Sequence, residues 1–404
     1  MSTLIERVTD SINRRRNKIL NGGVNSIPSP FVRFRGDFLG IEQSKYYLIT
    51  AGTKASKTQF TSYTFLYTPL LYAYKNPDKI RLKIFYYALE ETPEDVMRRF
   101  MSHLIYKMSR GTIEISPEDL MSSRNDKPLS KEILDFMERE DFQKILEFFE
   151  ESIFFSTSTN PTGVYNECRR YANEHGTIHT KKQKIKGEFG NEEEIDVFDW
   201  YEPDDPDEYK IIIYDHVSLI STERGMTLKQ SIDKLSEYCV ILRNRFGFTP
   251  VVIQQQALAG ESLDAIKEDK LRPTIANTSD SKYCARDCNM ALGLFSPYKF
   301  EKDSYKGYDI TKFRDNIRFL EVLINRGGQQ GGLIALYFNG AICDFIELPK
   351  PDDKEGLDKW YRWLKDKRTK TTFFSYSLTK HYGKNCSNTG FFRRWKDLFN
   401  HHKS

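Results

Sequence analysis

The chain has 404 residues, 39% of them apolar and 14% aromatic, and a formal net charge of +4. That length fits one large α/β domain with additions, or two domains, and the apolar share is low but enough for a sizeable core. No apolar run approaches the roughly 20 residues of a membrane span, the N-terminus lacks a signal-peptide pattern, and the six scattered cysteines form no CxxC pair, which argues against zinc; the sequence predicts a soluble cytoplasmic protein with reduced thiols.

In chain order, residues 1–20 read as an amphipathic helix, with Leu4, Ile5, Val8, Ile12 and Ile19 on one face and Arg14, Arg15 and Arg16 on its flank. Asn21-Gly22-Gly23 stops it, and the Pro28/Pro30 segment makes 1–30 a linker helix with its tether. Such a helix has little core of its own and docks either on another subunit or back on its own domain. Residues 31–349 alternate strand candidates (46–50, 82–88, 153–156, 210–214, 250–254, 290–295, 317–324 and 333–338) with helix candidates (57–74, 93–109, 130–151, 162–175 and 227–246). That rhythm predicts an α/β domain, a mainly parallel sheet with crossover helices. The stretch 177–209 interrupts it, basic at first (Lys181, Lys182, Lys184, Lys186) and acidic later (Glu192 to Glu194, Asp204, Asp205, Asp207). It is expected to be an exposed insertion, with a β-hairpin around Gly190, whose charges form a solvated face.

Residues 350–404 change character again. From Lys359 to Ser404 there are twelve Lys/Arg against two Asp/Glu, interleaved with Trp360, Trp363, Trp395 and several Phe and Tyr. Such a basic, aromatic extension suits a nucleic-acid strand, whose phosphates and bases it would meet. It equally suits an accessory helical piece that packs its aromatics and exposes its charges.

The chemistry is concentrated at strand ends. Tyr46 to Thr50 is an apolar strand that runs into a small-residue loop, Ala51-Gly52-Thr53-Lys54-Ala55-Ser56, followed by Lys57-Thr58 and a helical segment. A phosphate-binding loop requires that order: backbone N–H groups of residues 52–58 wrap the phosphates, Lys57 meets the β/γ oxygens, and the Thr58 hydroxyl holds Mg²⁺. The usual pattern has Gly six residues and one residue before the Lys, where this chain has Ala51 and Ser56. The bland alternative is an ordinary strand–turn–helix with an exposed Lys. Ile211 to Asp215 is an apolar strand ending in a carboxylate, the form of a Walker B element, which would place Asp215 near the metal. Phe85 to Glu90 ends in a carboxylate able to polarise water, and Val251 to Gln256 ends in amides able to sense a γ-phosphate. All lie at C-terminal strand ends, where α/β sheets bind ligands.

The ordered set resembles the ATPase domain of the DnaB-type replicative helicases, over roughly residues 15–346. Residues 51–58 lie where that family has its Walker A loop. Leu89-Glu90 followed by Thr92-Pro93-Glu94 is similar to the segment bearing its catalytic Glu, and Asp215-His216 followed by Leu219-Ile220 to its Walker B segment. Pro161-Thr162 through Gly176 looks like the helix before Walker B, and Pro250 through Gln256 like the next motif. Asn325-Arg326-Gly327-Gly328, then Leu336 to Gly340, resembles the arginine-finger strand and its successor. The resemblance implies a RecA-like fold, a homo-hexameric ring with ATP and Mg²⁺ between neighbours, and single-stranded DNA in the pore. Lys57, Glu90, Asp215 and Gln256 would act in cis, with Thr58 and Asp215 on the metal and Arg326 reaching the adjoining subunit's nucleotide. Arg224, Arg272 and Lys282 are the cations offered by the loops that line the pore in that family. A primase or loader is an implied partner, and the helix at 1–20 would dock on a neighbour.

Some features depart from the family: Ser56 replaces a Gly, Ile324 replaces a Lys two residues before the finger, and only Asp280 survives of an acidic motif around 279–286. About 30 residues precede the ATPase region, where the family carries a primase-interaction domain. A compact member of this kind would suit a bacteriophage or other mobile element. Three readings follow: a DNA helicase, a RecA-fold ATPase acting as recombination mediator or helicase loader, and a degenerate ATPase kept as a nucleic-acid-binding protein.

Overall fold

The computed structural model describes residues 3–123, 128–186, 192–257 and 272–377. Its centre is a nine-stranded sheet. In chain order the strands are β1 (Tyr47–Ala51), β2 (Arg81–Ala88), β3 (Ile153–Phe155), β4 (Glu208–Asp215), β5 (Thr249–Gln255), β6 (Met290–Phe295), β7 (Ile317–Asn325), β8 (Leu333–Asn339) and β9 (Asp344–Glu347). Their order across the sheet is β9-β8-β7-β6-β1-β5-β4-β2-β3. The run from β3 to β6 is parallel, and β7, β8 and β9 join it antiparallel. The expected mainly parallel α/β sheet is therefore present, with β1 in its middle.

Both faces of this sheet are covered. Tyr47, Ile49 and Ala51 pack into one apolar cluster and Tyr46 and Leu48 into another; Ile211 and Ile213 are likewise divided from Ile212 and Tyr214. Side chains alternate across a strand, so a strand buried on both faces reads as an unbroken apolar run. That is why these strands were visible in the sequence. The crossover helices carry ordinary start signals. Pro93–Met108 begins with a Thr92/Asp95 capping box, and Leu228–Phe246 begins with a Thr227/Gln230 box and ends at left-handed Gly247.

Some elements differ from expectation. The helix expected over 130–151 is two, Lys131–Met137 and Glu140–Ser152, because Arg139 is extended at the break. The helix after the loop runs from Lys57–Thr61 through a π-helical stretch, Ser62–Tyr67, into Thr68–Lys75. Pro69 has no N–H to give there, and Thr68 donates both its N–H and, at 2.7 Å, its Oγ1 to the Tyr63 carbonyl. The insertion forms a separate antiparallel hairpin, Gly176–Lys186 with Glu192–Pro203, and residue 208 onward belongs to β4. Its opposite charges pair across the strands, Lys181 with Asp199 and Lys182 with Asp196, while Phe198 and Tyr201 pack on Phe246. The hairpin tip around Gly190 lies outside the described residues.

The N-terminal helix is Leu4–Leu20, and none of its residues is buried. Leu4, Ile5, Val8, Ile12 and Ile19 are all at least half exposed, and the helix is tied down by an ion pair between Lys18 and Asp207. The chain divides into two units, Met1–Asp352 and Asp353–Ser404. The described part of the second is a helix, Lys354–Ser377; the remainder of the basic extension, with Trp395, lies outside the described residues. Among the described residues no helix is long and apolar enough to cross a membrane.

Candidate active site

The loop that follows β1 is built on two left-handed residues, Lys54 (φ 58°) and Ser56 (φ 67°). Glycine adopts this conformation freely, whereas a Cβ makes it unfavourable. Ala55 is buried beneath the loop, and Gly52, Thr53, Ser56, Lys57 and Thr58 are half-buried around it. The helix starts at Lys57, so its first N–H groups and the positive end of its dipole lie at the end of the loop, the arrangement a polyphosphate needs.

Two strands away, β4 delivers Asp215. Thr58 Oγ1 donates to Asp215 Oδ1 at 3.3 Å. Asp215 is only 3% exposed. Burial pushes its carboxyl up to about 7; nearby Glu90 and Glu91 add to the shift, and the Thr58 bond and Lys57 oppose it. A hydroxyl and a carboxylate side by side, the latter reluctant to ionise alone, form an all-oxygen donor pair suited to Mg²⁺, which favours one or two protein oxygens plus phosphates. The residues fit the ion.

The register Ala88↔Asp215 sets the end of β2 against the end of β4, and Leu89 N–H donates to the Asp215 carbonyl at 2.9 Å. Glu90 is thereby held beside the pair, with its side chain 42% exposed. His216 Nε2 lies 2.9 Å from Glu90 Oε1. The tautomer protonated at Nε2 donates to this carboxylate, and Nδ1 is buried without a partner. Burial lowers the His216 pKa, against the pull of Glu90. His216 is an unforeseen member of the site, although its position directly after Asp215 marked it.

A second unforeseen group is Lys299, beyond the end of β6. Its Nζ donates to the Thr53 carbonyl at 3.0 Å and to Thr53 Oγ1 at 2.9 Å. Its only sequence signal was its place shortly after an apolar strand, and the partner of that strand could not be read. Beside the loop is a small cleft lined by Thr53, Gln256, Phe295, Lys299 and Phe300 among others.

The remaining candidates are distributed differently. Gln256 is buried, donating from Nε2 to Thr50 Oγ1 at 2.7 Å and accepting from Thr274 N–H at 3.2 Å. Both ends of its amide are thus engaged within the protein. Arg224 is exposed in the turn after β4. Arg272 pairs with Glu321 at 3.1 Å, and Lys282 donates to the carbonyls of Ile275, Ala276 and Thr278. The loops after β4 and β5 are joined by Ser218 Oγ donating to Asp280 Oδ2 at 2.6 Å; residues 258–271 lie outside the described residues.

Arg326 stands apart from the rest. The registers Asn325↔Met290 and Met290↔Tyr47 put it at the edge of the sheet where β1 begins, whereas the loop leaves from the opposite edge, after Ala51. From Tyr47 to Ala51 β1 rises about 13 Å, four steps of roughly 3.3 Å. Arg326 is exposed, anchored by its N–H to the Asn289 carbonyl at 2.9 Å and by Nη2 to the Arg286 carbonyl.

With this geometry in hand, two solved structures are informative. The ATPase domain of G40P matches with a TM-score of 0.57 at 14% identity, covering 86% of this chain and all of that one (100%). A DnaB-like replicative helicase, solved in a study of its interactions with primase, matches with a TM-score of 0.58 at 14% identity, over 86% of this chain and 68% of that one. This is a divergent sequence on the RecA-like fold of replicative-helicase ATPase domains. No protein-family model matches the sequence, and no curated protein does.

Proposed function

We propose that the chain is an ATP-dependent, ring-forming DNA helicase that translocates on single-stranded DNA. The observation that carries this is the contact of Thr58 with Asp215 beside Glu90, at the C-terminal ends of parallel strands next to a loop ending in Lys57. In this reading the N–H groups of residues 52–58 and the Lys57 ammonium bind the β- and γ-phosphates. Thr58 and Asp215 hold Mg²⁺, which supplies charge neutralisation on the phosphate oxygens. Glu90 accepts a proton from the attacking water through the oxygen that His216 leaves free, and His216 fixes the rotamer of that carboxylate. Gln256 ties β1 to Thr274, so its amide joins the phosphate-binding strand to the segment after β5.

Arg326 lies at the wrong edge of the sheet for its own loop, which favours action on the nucleotide of a neighbouring copy. The exposed apolar face of Leu4–Leu20 would be covered in the same assembly. Arg224, Arg272 and Lys282 come from the loops that would meet the strand. Primase or a loader would be the protein partner.

The test is steady-state ATP hydrolysis with and without single-stranded DNA, beside a Lys57→Ala control. The expected result is DNA-stimulated turnover that the substitution abolishes, because it removes the cation that neutralises the β/γ-phosphates. A folded, DNA-binding protein without turnover would refute the proposal and favour the degenerate ATPase, for which left-handed Ser56 is the specific observation. Turnover without strand displacement would favour a recombination mediator or loader.

A further inference from the structure

A cation that no sequence pattern announced lies behind the phosphate-binding loop. Arg318, the second residue of β7, is 1% exposed. Its Nη1 donates to the carbonyls of Asp315 at 2.7 Å and Ile317 at 2.9 Å, and its Nη2 pairs with Asp315 Oδ1 at 3.0 Å. The guanidinium carbon lies 4.7 Å from the centre of the Phe338 ring. The last contact of Nη2 is with the loop itself, Ser56 Oγ at 3.2 Å. Nε is buried without a partner, so the guanidinium is not fully satisfied where it sits.

Ser56 is the N-cap residue of the helix that opens at Lys57, yet its side chain makes no capping bond. A serine in that position ordinarily turns its hydroxyl onto the N–H groups of the first helical turn. In a phosphate-binding loop those N–H groups are the ones a phosphate oxygen needs. A serine in place of glycine therefore introduces two problems: a Cβ in a left-handed conformation, and a hydroxyl able to compete with the ligand. The contact with Arg318 bears on both, since it holds the residue in its strained conformation and keeps the hydroxyl oxygen engaged away from the helix N-terminus.

We propose that Arg318 is a positioning residue of the nucleotide site, which draws the Ser56 hydroxyl back from the loop and leaves the helix N-terminal N–H groups open to the polyphosphate. The inference rests on the reading of residues 52–58 as that site. Arg318 touches no nucleotide atom in this account; it acts through Ser56.

The experiment is equilibrium binding of a fluorescent ATP analogue with Mg²⁺ to the full chain and to three variants: Arg318→Met, Ser56→Gly, and the two combined. Arg318→Met, which fills similar space without the donors, is expected to bind roughly tenfold more weakly, the order expected for losing one hydrogen bond to a charged group. Ser56→Gly removes both the hydroxyl and the strain, so it should bind at least as tightly as the unmodified chain. It should also restore binding to within about twofold when combined with Arg318→Met. A merely structural role for Arg318 predicts no such rescue, and a double variant as weak as Arg318→Met would overturn the proposal. So would equal affinity of Arg318→Met and the unmodified chain. If Arg318→Met does not fold, Arg318→Lys replaces it: the charge stays but the planar fork is lost, and a weakening rescued by Ser56→Gly is again expected. Absence of binding by the unmodified, folded chain would instead overturn the nucleotide reading itself, and this inference with it.

Discussion

Replacing Asp215 with Asn should make the nucleotide-free protein more stable at neutral pH while destroying its metal site. In the folded chain burial pushes the Asp215 carboxyl up to about 7, whereas an aspartate in an unfolded chain titrates near ~3.9. The folded state therefore binds more protons between these values. Asp215 contributes its full stability below about pH 4, and that contribution is lost as pH rises through about 7. With those two constants the loss is about 1.5 kcal/mol at pH 5 and about 4 kcal/mol at pH 8. Asn has nothing to ionise. Urea unfolding in EDTA, without nucleotide, should show the gap between the Asp215→Asn and unmodified proteins widening by about 2.5 kcal/mol from pH 5 to pH 8 in favour of the variant. Comparing the two proteins cancels the other titrating groups. With Mg²⁺ and nucleotide the order should reverse, because only ionised Asp215 receives the cation, and affinity for Mg²⁺ should climb up to tenfold per pH unit between pH 5 and 7. Parallel pH profiles for the two nucleotide-free proteins would refute the reasoning, since Asp215 would then titrate like any exposed carboxyl.

Other predictions follow from the same geometry. Glu90→Gln should keep nucleotide binding and halt hydrolysis; full turnover would show that another group activates the water. His216→Phe, which removes the Nε2 donor 2.9 Å from Glu90, should lower kcat by roughly tenfold or more with little change in KM, as expected for loss of an orienting contact to a catalytic carboxylate. A rise in KM alone would assign His216 to ground-state binding. Arg326→Ala should lose turnover alone and recover part of it when mixed with Glu90→Gln subunits, because the intact finger of one copy then serves the intact base of another. No recovery would argue against action between subunits.

Much of the central sheet could be read from the residues, and the reason is burial on both faces. β1, β2, β4 and β5 each contain an unbroken apolar run, such as Ile211 to Tyr214 in β4. Helices with caps, such as Thr92/Asp95, were equally visible. The strands that escaped are short: Ile27–Pro28 with Gly40–Ile41, Ser304–Tyr305 with Tyr308–Asp309, and β9. Two- to four-residue pairings carry too little periodicity to register. In the site, the residues set by local order (Lys57, Thr58, Asp215, Glu90) were read because each ends or follows an apolar run. Lys299 and Arg318 were missed because their partners, Thr53 and Ser56, are 246 and 262 positions away in sequence. No spacing rule connects them.

The substitutions that look damaging in the sequence acquire a different meaning when their surroundings are included. Ser56 in isolation is a defect, a Cβ where the backbone needs φ near 67°. Buried Arg318 in isolation is also a defect, since an apolar side chain of similar size would avoid desolvating a charge. Each offsets part of the other's cost, because the hydroxyl gives the guanidinium a further acceptor and the guanidinium gives the hydroxyl a direction away from the loop. Asp215 follows the same logic on the metal side: a carboxyl 3% exposed is unfavourable until a cation arrives, and Thr58 presents the second oxygen for it. Such groups lower the stability of the empty protein, and a core under selection for stability alone would discard them. Their meeting around one loop, on a sheet whose other strands follow the ordinary rules of burial, is what the proposed site for a ligand carrying both phosphate and metal requires. A loop that had lost its ligand would have no reason to keep Asp215 ionisable in the interior, which makes the pH dependence of the Asp215→Asn comparison a test of retained function as well as of geometry.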